Sequence, residues 1–146
     1  MCGERLIIRS ELAELRRMSE WLVAKGEASG IPRDVLFRLE VCANEAVTNI
    51  ISYAYEDSTS HDIALELNTT ATGTSLIIQD DGKPFDMLEA PEHCQPASLA
   101  DAKIGGLGLP LIRRLMSHCA YRRENGCNLL RLYAHYSPSL HEREMS

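Results

Sequence analysis

The apolar positions of the chain follow two periods, and each period predicts one kind of secondary structure. Apolar residues three and four apart predict amphipathic helices, whereas alternation or a short continuous apolar run predicts a strand. The predicted helices cover 11–28, about 32–52 and 109–117. The predicted strands cover 6–8, 63–68, 75–79, 119–123 and 129–133. The order is therefore strand, two helices, two strands, one helix and two strands.

Residues with strong local preferences set the predicted boundaries of these elements. Ser10 is a favourable N-cap for the first helix, because its hydroxyl can accept a hydrogen bond from the first turn. Pro32 cannot continue that helix but suits the first turn of the next one. Asn125 and Gly126 both tolerate positive φ and predict a tight hairpin between the last two strands.

The second helix carries an apolar stripe on one side and a polar pair on another. The stripe has the spacing of a core-facing surface and consists of Leu36, Leu39, Ala43, Ala46, Val47 and Ile50. Glu45 and Asn49 are four residues apart, so they share a face, which lies away from the stripe. For this pair in isolation, a solvated helix face is the simplest interpretation.

The stretch from Lys83 to Lys103 shows neither period and contains three prolines. A structureless stretch of about 20 residues inside a compact domain is usually a lid, a binding loop or a disordered segment. We expect a lid at about residues 86–104. The polar residues from Pro138 onward are expected to form a frayed tail.

This order of elements is neither an alternating βαβ wind nor an all-β pattern. It predicts an α+β fold, a two-layer α/β sandwich with helices on one face of a mixed, largely antiparallel sheet. A chain of 146 residues has the length of one domain. We expect that domain to cover residues 1–137, followed by a polar C-terminal tail at 138–146.

Charge and composition exclude several classes of function. The 15 Lys and Arg residues against 21 Asp and Glu residues give a net charge of −6, which argues against direct nucleic-acid binding. Five cysteines with no CxxC pair fit neither a disulfide framework nor a zinc site. No apolar stretch approaches the roughly 20 residues that span a bilayer. We therefore expect a cytoplasmic protein with no membrane partner.

Two segments carry acidic and amide groups suited to ligand chemistry. In Glu45–Asn49, the carboxylate can accept a proton from a nucleophile and the amide oxygen can ligate a hard cation. Asp80 ends a predicted strand and can accept a hydrogen bond from an exocyclic amine. Gly82 would let a flat base approach the backbone, although Asp-Gly also occurs in simple turns.

A third segment is rich in glycine and runs directly into the third helix. Glycines before a helix N-terminus leave backbone N–H groups free to meet an anion, and the helix dipole adds to the attraction. A flexible hinge with an N-terminal cap is the alternative interpretation. The segment comprises Gly105, Gly106, Leu107 and Gly108. It lacks both the Gly-Lys-Ser/Thr of a Walker A motif and the position of a Rossmann loop.

In combination and in this order, the three segments resemble the motifs of the GHKL ATPase superfamily. Residues 45–55 are similar to its N-box, 80–86 to its G1 box and 105–112 to its G2 box. The Asp-x-Gly-x-Pro-Phe-Asp form of the G1 box, and the Leu-Ile-x-x-Leu-Met helix at 111–116, resemble the anti-sigma-factor serine kinases of bacterial partner-switching systems. The resemblance covers nearly the whole chain.

The resemblance implies an ATP site of the Bergerat type. Glu45 would be the general base, Asn49 would hold Mg²⁺ against the phosphates, and Asp80 would bind the adenine amino group. Gly82 would give the base room. The phosphate site under the lid would be lined by Gly105, Gly106, Leu107 and Gly108.

The resemblance also implies partners. The chain would be a serine/threonine protein kinase and anti-sigma factor whose substrate is a hydroxyl on a STAS-domain anti-anti-sigma protein. Its second partner would be a sigma factor or other regulator, and a homodimer is expected. The alternative is a non-catalytic, ATP-gated sequestering module, against which the intact Glu45 argues. The catalytic fragment of a histidine kinase fits poorly, because the chain's histidines are scattered.

Overall fold

The computed structural model of the chain describes residues 3–57, 59–86, 88 and 108–136. Its helices are α1 (Leu15–Ala28), which follows a single 3-10 turn (Leu12–Glu14), α2 (Arg33–Tyr53) and α3 (Gly108–Leu115). Its strands are β1 (Glu4–Arg9), β2 (Asp62–Thr69), β3 (Gly73–Asp80), β4 (His118–Glu124) and β5 (Cys127–His135). The element order that the apolar periods predicted is confirmed.

The five strands form one sheet in the order β1-β2-β3-β5-β4. All four pairings between the described strands are antiparallel, so the predicted α+β architecture is confirmed but its mixed sheet is wrong. β4 runs in the same direction as β3, yet the two do not pair because β5 lies between them. The apolar alternation of a single strand does not identify its neighbours, which is why the sequence did not exclude a parallel pairing.

One face of the sheet carries the helices, and the core lies between the two layers. Alternate residues along the strands are buried, as the period-two pattern predicts. All six residues of the α2 stripe are less than 5% exposed, which confirms that stripe as the core face of the helix. None of the helices in the described ranges has the length and hydrophobicity of a membrane span.

The ends of two elements test the boundary predictions. Asn125 (φ 53°) and Gly126 (φ 77°) connect β4 to β5 as the predicted tight hairpin, and Glu124 pairs with Cys127. The predicted N-cap is wrong. The Ser10 hydroxyl accepts a hydrogen bond from the backbone N–H of His61 at 2.8 Å and so fastens the end of β1 to the start of β2. The first helix consequently begins as a 3-10 turn, and α1 starts at Leu15.

Some predictions fall on residues outside the described ranges. They concern most of the lid at 86–104, the glycine segment at 105–107 and the tail at 138–146. Asp86 and Leu88 are described: the Asp86 carboxylate accepts a hydrogen bond from the backbone N–H of Leu88 at 2.9 Å. The Arg113 side chain donates to the carbonyl oxygen of Leu88, so α3 contacts the first residues of the predicted lid.

Candidate functional site

The C-terminal half of α2 is buried on more than its apolar side. Asn49 is 4% exposed and Thr48 is 5% exposed, although both lie away from the core-facing stripe. The solvated face that is simplest for Glu45 and Asn49 in isolation is therefore wrong. α3 and the loop that follows β3 both pack against α2, and neither is visible in the local sequence of the helix.

Glu45 presents a buried carboxylate oxygen. Its Oε2 is inaccessible to solvent and has no hydrogen-bond partner among the described residues. A buried polar atom without a partner is destabilising by about 1–3 kcal/mol, and by more when it carries charge. Such an atom is usually explained by a function or by a missing ligand. The arrangement suits a base that receives its partner, a hydroxyl or a water molecule, when substrate binds.

Two residues lie about one helical turn from Glu45 on α2, namely Cys42 before it and Asn49 after it. Cys42 lies one turn earlier and is fully buried. Burial, with a smaller contribution from Cys119 and Glu45, raises the pKa of the Cys42 thiol to about 12. The thiol therefore stays protonated at neutral pH and is not a candidate nucleophile. One turn after Glu45, no hydrogen bond among the described residues engages the side-chain amide of Asn49, which leaves its oxygen available to a ligand.

Asp80 is the last residue of β3 and is 4% exposed. Its Oδ1 accepts two hydrogen bonds, one from the backbone N–H of Gly82 at 2.9 Å and one from Asn128 Nδ2 at 3.0 Å. Within the described ranges no hydrogen bond engages Oδ2. Burial raises the pKa of the Asp80 carboxyl, and the hydrogen bonds from Asn128 and Gly82 partly offset this rise. One oxygen is thus fixed by the protein, while the other can accept a donor from a ligand.

The neighbouring Asp81 has a different environment. Asp81 is exposed, and its Oδ1 accepts a hydrogen bond from the Tyr55 hydroxyl at 3.0 Å. The Tyr55 ring stacks on the imidazole of His61 with ring centroids 3.9 Å apart. Asp80, and not Asp81, is therefore the carboxylate that faces the interior.

Gly82 lets the loop after β3 close against the end of α2. A Cβ atom at this position would lie 2.5 Å from the carbonyl oxygen of Ala54 and 2.6 Å from its Cβ. The next residue, Lys83, donates its backbone N–H to the same carbonyl at 2.9 Å. The contact brings the end of the Glu45 helix next to the loop that follows Asp80. The role of Gly82 in accommodating a base stays a prediction.

Asn128 is a site residue that the sequence analysis missed. Its Nδ2 donates to Asp80 Oδ1 and, at 2.9 Å, to the carbonyl oxygen of Lys83. Its Oδ1 accepts the backbone N–H of Phe85 at 3.3 Å and the Tyr121 hydroxyl. The signal was a polar residue at an inward-facing position of β5, in line with Leu130 and Leu132, but the predicted strand began at 129, two residues after the start of β5 at Cys127.

Gly108 is the first residue of α3, so the glycine segment does lead into a helix N-terminus. Backbone N–H groups in a first helical turn have no partner within the helix. Gly105, Gly106 and Leu107 lie outside the described residues, and their part in an anion site stays a prediction.

Comparison with known proteins identifies a family and several similar protein kinases. The profile of the family described as histidine kinase-like ATPase domain matches residues 8–134. The serine/threonine-protein kinase BtrW of Bordetella bronchiseptica is 39% identical over 102 residues, which cover 70% of this chain and 72% of BtrW. The serine-protein kinase RsbW of Listeria innocua is 24% identical over 130 residues, 86% of this chain and 82% of RsbW. RsbW of Halalkalibacterium halodurans is 29% identical over 101 residues, 66% of this chain and 61% of that protein.

The family match spans all the described helices and nearly every strand residue, and the similarity to BtrW covers more than two thirds of both chains. The fold agrees as well, with three helices on one face of an antiparallel sheet. The chain therefore belongs to the histidine kinase-like ATPase domain family and is a GHKL-type kinase that uses ATP.

Proposed function

We propose that the chain is a serine/threonine protein kinase and anti-sigma factor. It phosphorylates a hydroxyl of a STAS-domain antagonist protein and regulates a sigma factor by partner switching. The names of the relatives support the residue class of the acceptor. The observation that carries the proposal is the buried, unpartnered Oε2 of Glu45, on the helix whose end contacts the loop after Asp80.

Asp80 recognises the adenine ring. Its Oδ1 is occupied by two protein donors, so its remaining oxygen accepts a hydrogen bond from the exocyclic amine of ATP. A hydrogen bond to a charged group contributes about 1.5–3 kcal/mol, which is enough to select a nucleotide that carries a donor at this position. The neighbouring Asp81 takes no part, because it is exposed and bonded to Tyr55.

The residues present fit a magnesium ion shared with the nucleotide. Asn49 is 4% exposed and offers an amide oxygen, and Mg²⁺ prefers oxygen ligands while keeping several water molecules. No cluster of three acidic, histidine or cysteine side chains in the described ranges could hold a metal by itself, which agrees with an ion bound together with phosphates. Asn49 would hold the ion, and the ion would neutralise charge on the phosphate oxygens.

Glu45 acts as the general base. The acceptor hydroxyl donates its hydrogen bond to the buried carboxylate oxygen, and its proton passes to Glu45 as its oxygen attacks the γ-phosphorus and ADP leaves. The protein otherwise contributes by positioning and by electrostatic stabilisation of the transferred group. We expect the glycine segment that leads into the N-terminus of α3 to hold the phosphates; it comprises Gly105, Gly106, Leu107 and Gly108.

A transfer assay tests the proposed function. Purified chain is mixed with STAS-domain proteins from the same organism, Mg²⁺ and ATP labelled at the γ-phosphate, and we expect a phosphoserine or phosphothreonine on one of them. Glu45→Gln should slow transfer by about 10²–10⁴-fold, because the base is lost. Binding of ADP, measured by calorimetry, should be unchanged.

Glu40→Gln is the matched control, since Glu40 lies on the same helix and loses the same charge. It should transfer phosphate at the wild-type rate. Transfer at full rate by Glu45→Gln would contradict the base assignment. ATP-dependent association with a STAS protein or sigma factor, with no phosphate transferred, would instead favour the non-catalytic sequestering module.

A further inference from the structure

Arg123 reaches across the sheet to the loop that follows β3. It lies on β4, the outermost strand, which is separated from β3 by β5. Its Nη1 donates to the carbonyl oxygen of Gly82 at 2.7 Å and to Asn128 Oδ1 at 3.2 Å. Asn128 is the cross-strand partner of Arg123 in the β4–β5 register, whereas Gly82 lies beyond both strands in the loop after β3.

The two acceptors of Arg123 belong to the two residues that hold Asp80. Gly82 donates its backbone N–H to Asp80 Oδ1, and Asn128 donates its Nδ2 to the same oxygen. A guanidinium is always charged and its geometry is rigid, so it fixes two acceptors at once. Arg123 therefore holds in place both residues that donate hydrogen bonds to the Asp80 carboxylate.

The contact with Asn128 also helps to set the orientation of that amide. The Arg123 guanidinium, the Tyr121 hydroxyl and the backbone N–H of Phe85 are all donors, and all three bond to the carbonyl oxygen of the amide. With the oxygen held on that side, the NH₂ group must face Asp80. A rotated amide would place its oxygen against the carboxylate, which is repulsive.

The charge of Arg123 acts in the same direction as its hydrogen bonds. The charged and titratable groups around Asp80 are Asp81, Tyr55 and Arg123. Burial and Asp81 raise the pKa of the Asp80 carboxyl, while Arg123 lowers it. Loss of the guanidinium would make Asp80 easier to protonate.

We propose that Arg123 is a positioning residue of the adenine subsite. By bridging Gly82 and Asn128 it holds the Asp80 carboxylate with Oδ1 engaged and Oδ2 presented to the exocyclic amine. This inference rests on the proposed role of Asp80 in nucleotide binding. It gives the edge strand, which contains none of the family motifs, a part in nucleotide recognition.

A calorimetric comparison of two ligands tests the proposal. The ligands are ADP and purine riboside 5′-diphosphate, which lacks the 6-amino group and so cannot make the bond to Asp80. Arg123→Ala should weaken ADP binding by about tenfold, a large part of a hydrogen bond to a charged group. It should change the affinity for purine riboside 5′-diphosphate by less than about twofold, because that ligand lacks the amine that Asp80 binds. A loss of affinity that depends on the amine reports coupling between Arg123 and this hydrogen bond.

Arg122→Ala is the matched control. Arg122 is the adjacent residue on the same strand, points to the opposite face and pairs with Glu124 at 3.0 Å. The variant removes the same charge and should bind both ligands like the wild type. In Arg123→Ala, ADP affinity should also begin to fall at a higher pH than in the wild type as the solution is acidified.

The proposal would be overturned if Arg123→Ala lowered the affinity for both ligands equally, or if it bound ADP with wild-type affinity. An equal loss of ADP affinity in Arg122→Ala would also overturn it. If Arg123→Ala does not fold, Arg123→Lys replaces it. A ratio of the two ligand affinities in Arg123→Lys equal to that of the wild type would then overturn the proposal. Failure of the wild type to bind ADP would contradict the proposed function itself.

Discussion

At the scale of single residues, the site is defined by which polar atoms the protein leaves without partners. Asp80 has one carboxylate oxygen that is fixed and one that is open, and Glu45 has an oxygen that is buried with no donor among the described residues. Buried side-chain oxygens without a donor are uncommon in native proteins, so Glu45 Oε2 calls for a functional explanation. These two oxygens are the positions at which we expect a ligand to supply donors.

Asp80→Asn should separate stability from binding. Burial raises the pKa of the Asp80 carboxyl above its value in the unfolded chain. Protonated Asp80 therefore favours the folded state at low pH, and this contribution is lost as the pH rises through the folded pKa. At pH 7 the neutral asparagine should raise the melting temperature, measured by calorimetric scanning, and the gain should shrink on acidification.

The same substitution should weaken ADP binding by about 10–100-fold, because the exocyclic amine loses a charged acceptor. Asp81→Asn serves as the control, since Asp81 is exposed and bonded to Tyr55. It should bind ADP like the wild type. Unchanged ADP affinity in Asp80→Asn would exclude Asp80 as the adenine acceptor.

At the scale of elements, contacts between residues distant in sequence decide where helices begin and which faces are buried. Ser10 would cap the first helix by local rules, but its hydroxyl is engaged by His61, 51 residues away. Glu14 is the N-cap residue of α1, but its side chain makes no capping hydrogen bond. Its carboxylate instead accepts the backbone N–H of Arg9 at 2.8 Å and bonds the Arg17 guanidinium, so it ties the start of α1 to the end of β1.

Glu14→Gln should lower stability in a pH-dependent manner. The hydrogen bonds from Arg17 and from Arg9 lower the pKa of Glu14 to about 2. This stabilisation is present above the unfolded pKa of about 4.5 and is lost as the pH falls toward 2. The expected loss in the free energy of unfolding at pH 7 is at most about 1 kcal/mol, because solvent screens the ion pair of Glu14 and Arg17.

Chemical denaturation at pH 7 and at pH 2.5 measures the free energy of unfolding of the wild type and of Glu14→Gln. The gap between the two values should be smaller at pH 2.5. Glu20→Gln is the control, since Glu20 pairs with Arg16 on the exposed side of the same helix. Its stability should match the wild type at both values. A gap of equal size at both pH values would contradict the assigned cause.

Local patterns predicted the features that depend on local physics. The helical period identified the α2 stripe because residues at that spacing lie on one face of the helix and are buried together. Asn125-Gly126 identified the hairpin because the tight turn requires positive φ, which both residues adopt. The burial of Asn49 was not predictable from its own helix, because α3, which packs against α2, lies far along the chain. Asn128 was missed because it lies at the boundary between turn and strand.

At the scale of the whole molecule, the site depends on the contact between the helical layer and the end of the central strand. Gly82 meets Ala54 so closely that a Cβ would overlap its carbonyl oxygen. The same loop is bonded to Asn128 on β5 and to Arg123 on β4. A displacement of this loop would therefore move Asp80 relative to the helix that carries Glu45.

Gly82→Ala should impair stability and nucleotide binding together. Inserting a methyl group into a packed contact is destabilising by about 1–3 kcal/mol, and here the obstacle is backbone. We expect a lower free energy of unfolding in denaturant titrations and weaker binding of ADP. Gly26→Ala is the comparison, because its new Cβ would meet only the flexible end of the Leu36 side chain.

Gly26→Ala should bind ADP like the wild type, since α1 is remote from the Asp80 loop. If Gly82→Ala were as stable as the wild type, the contact with Ala54 would accommodate the added methyl group without a loss in the free energy of unfolding. Lower stability with unchanged ADP affinity would show that the position of the loop does not control the nucleotide subsite.

The register of the sheet has a consequence for the synthesis of the protein on the ribosome. Asp80 pairs with Asn128, which lies 48 residues further along the chain on β5, the last strand in the described part of the chain. A nascent chain that has left the ribosome only as far as the hairpin turn has the aspartate but not the amide that orients it. Because a ligand stabilises only the state that binds it, cellular nucleotide would favour finished chains and give no protection to truncated ones.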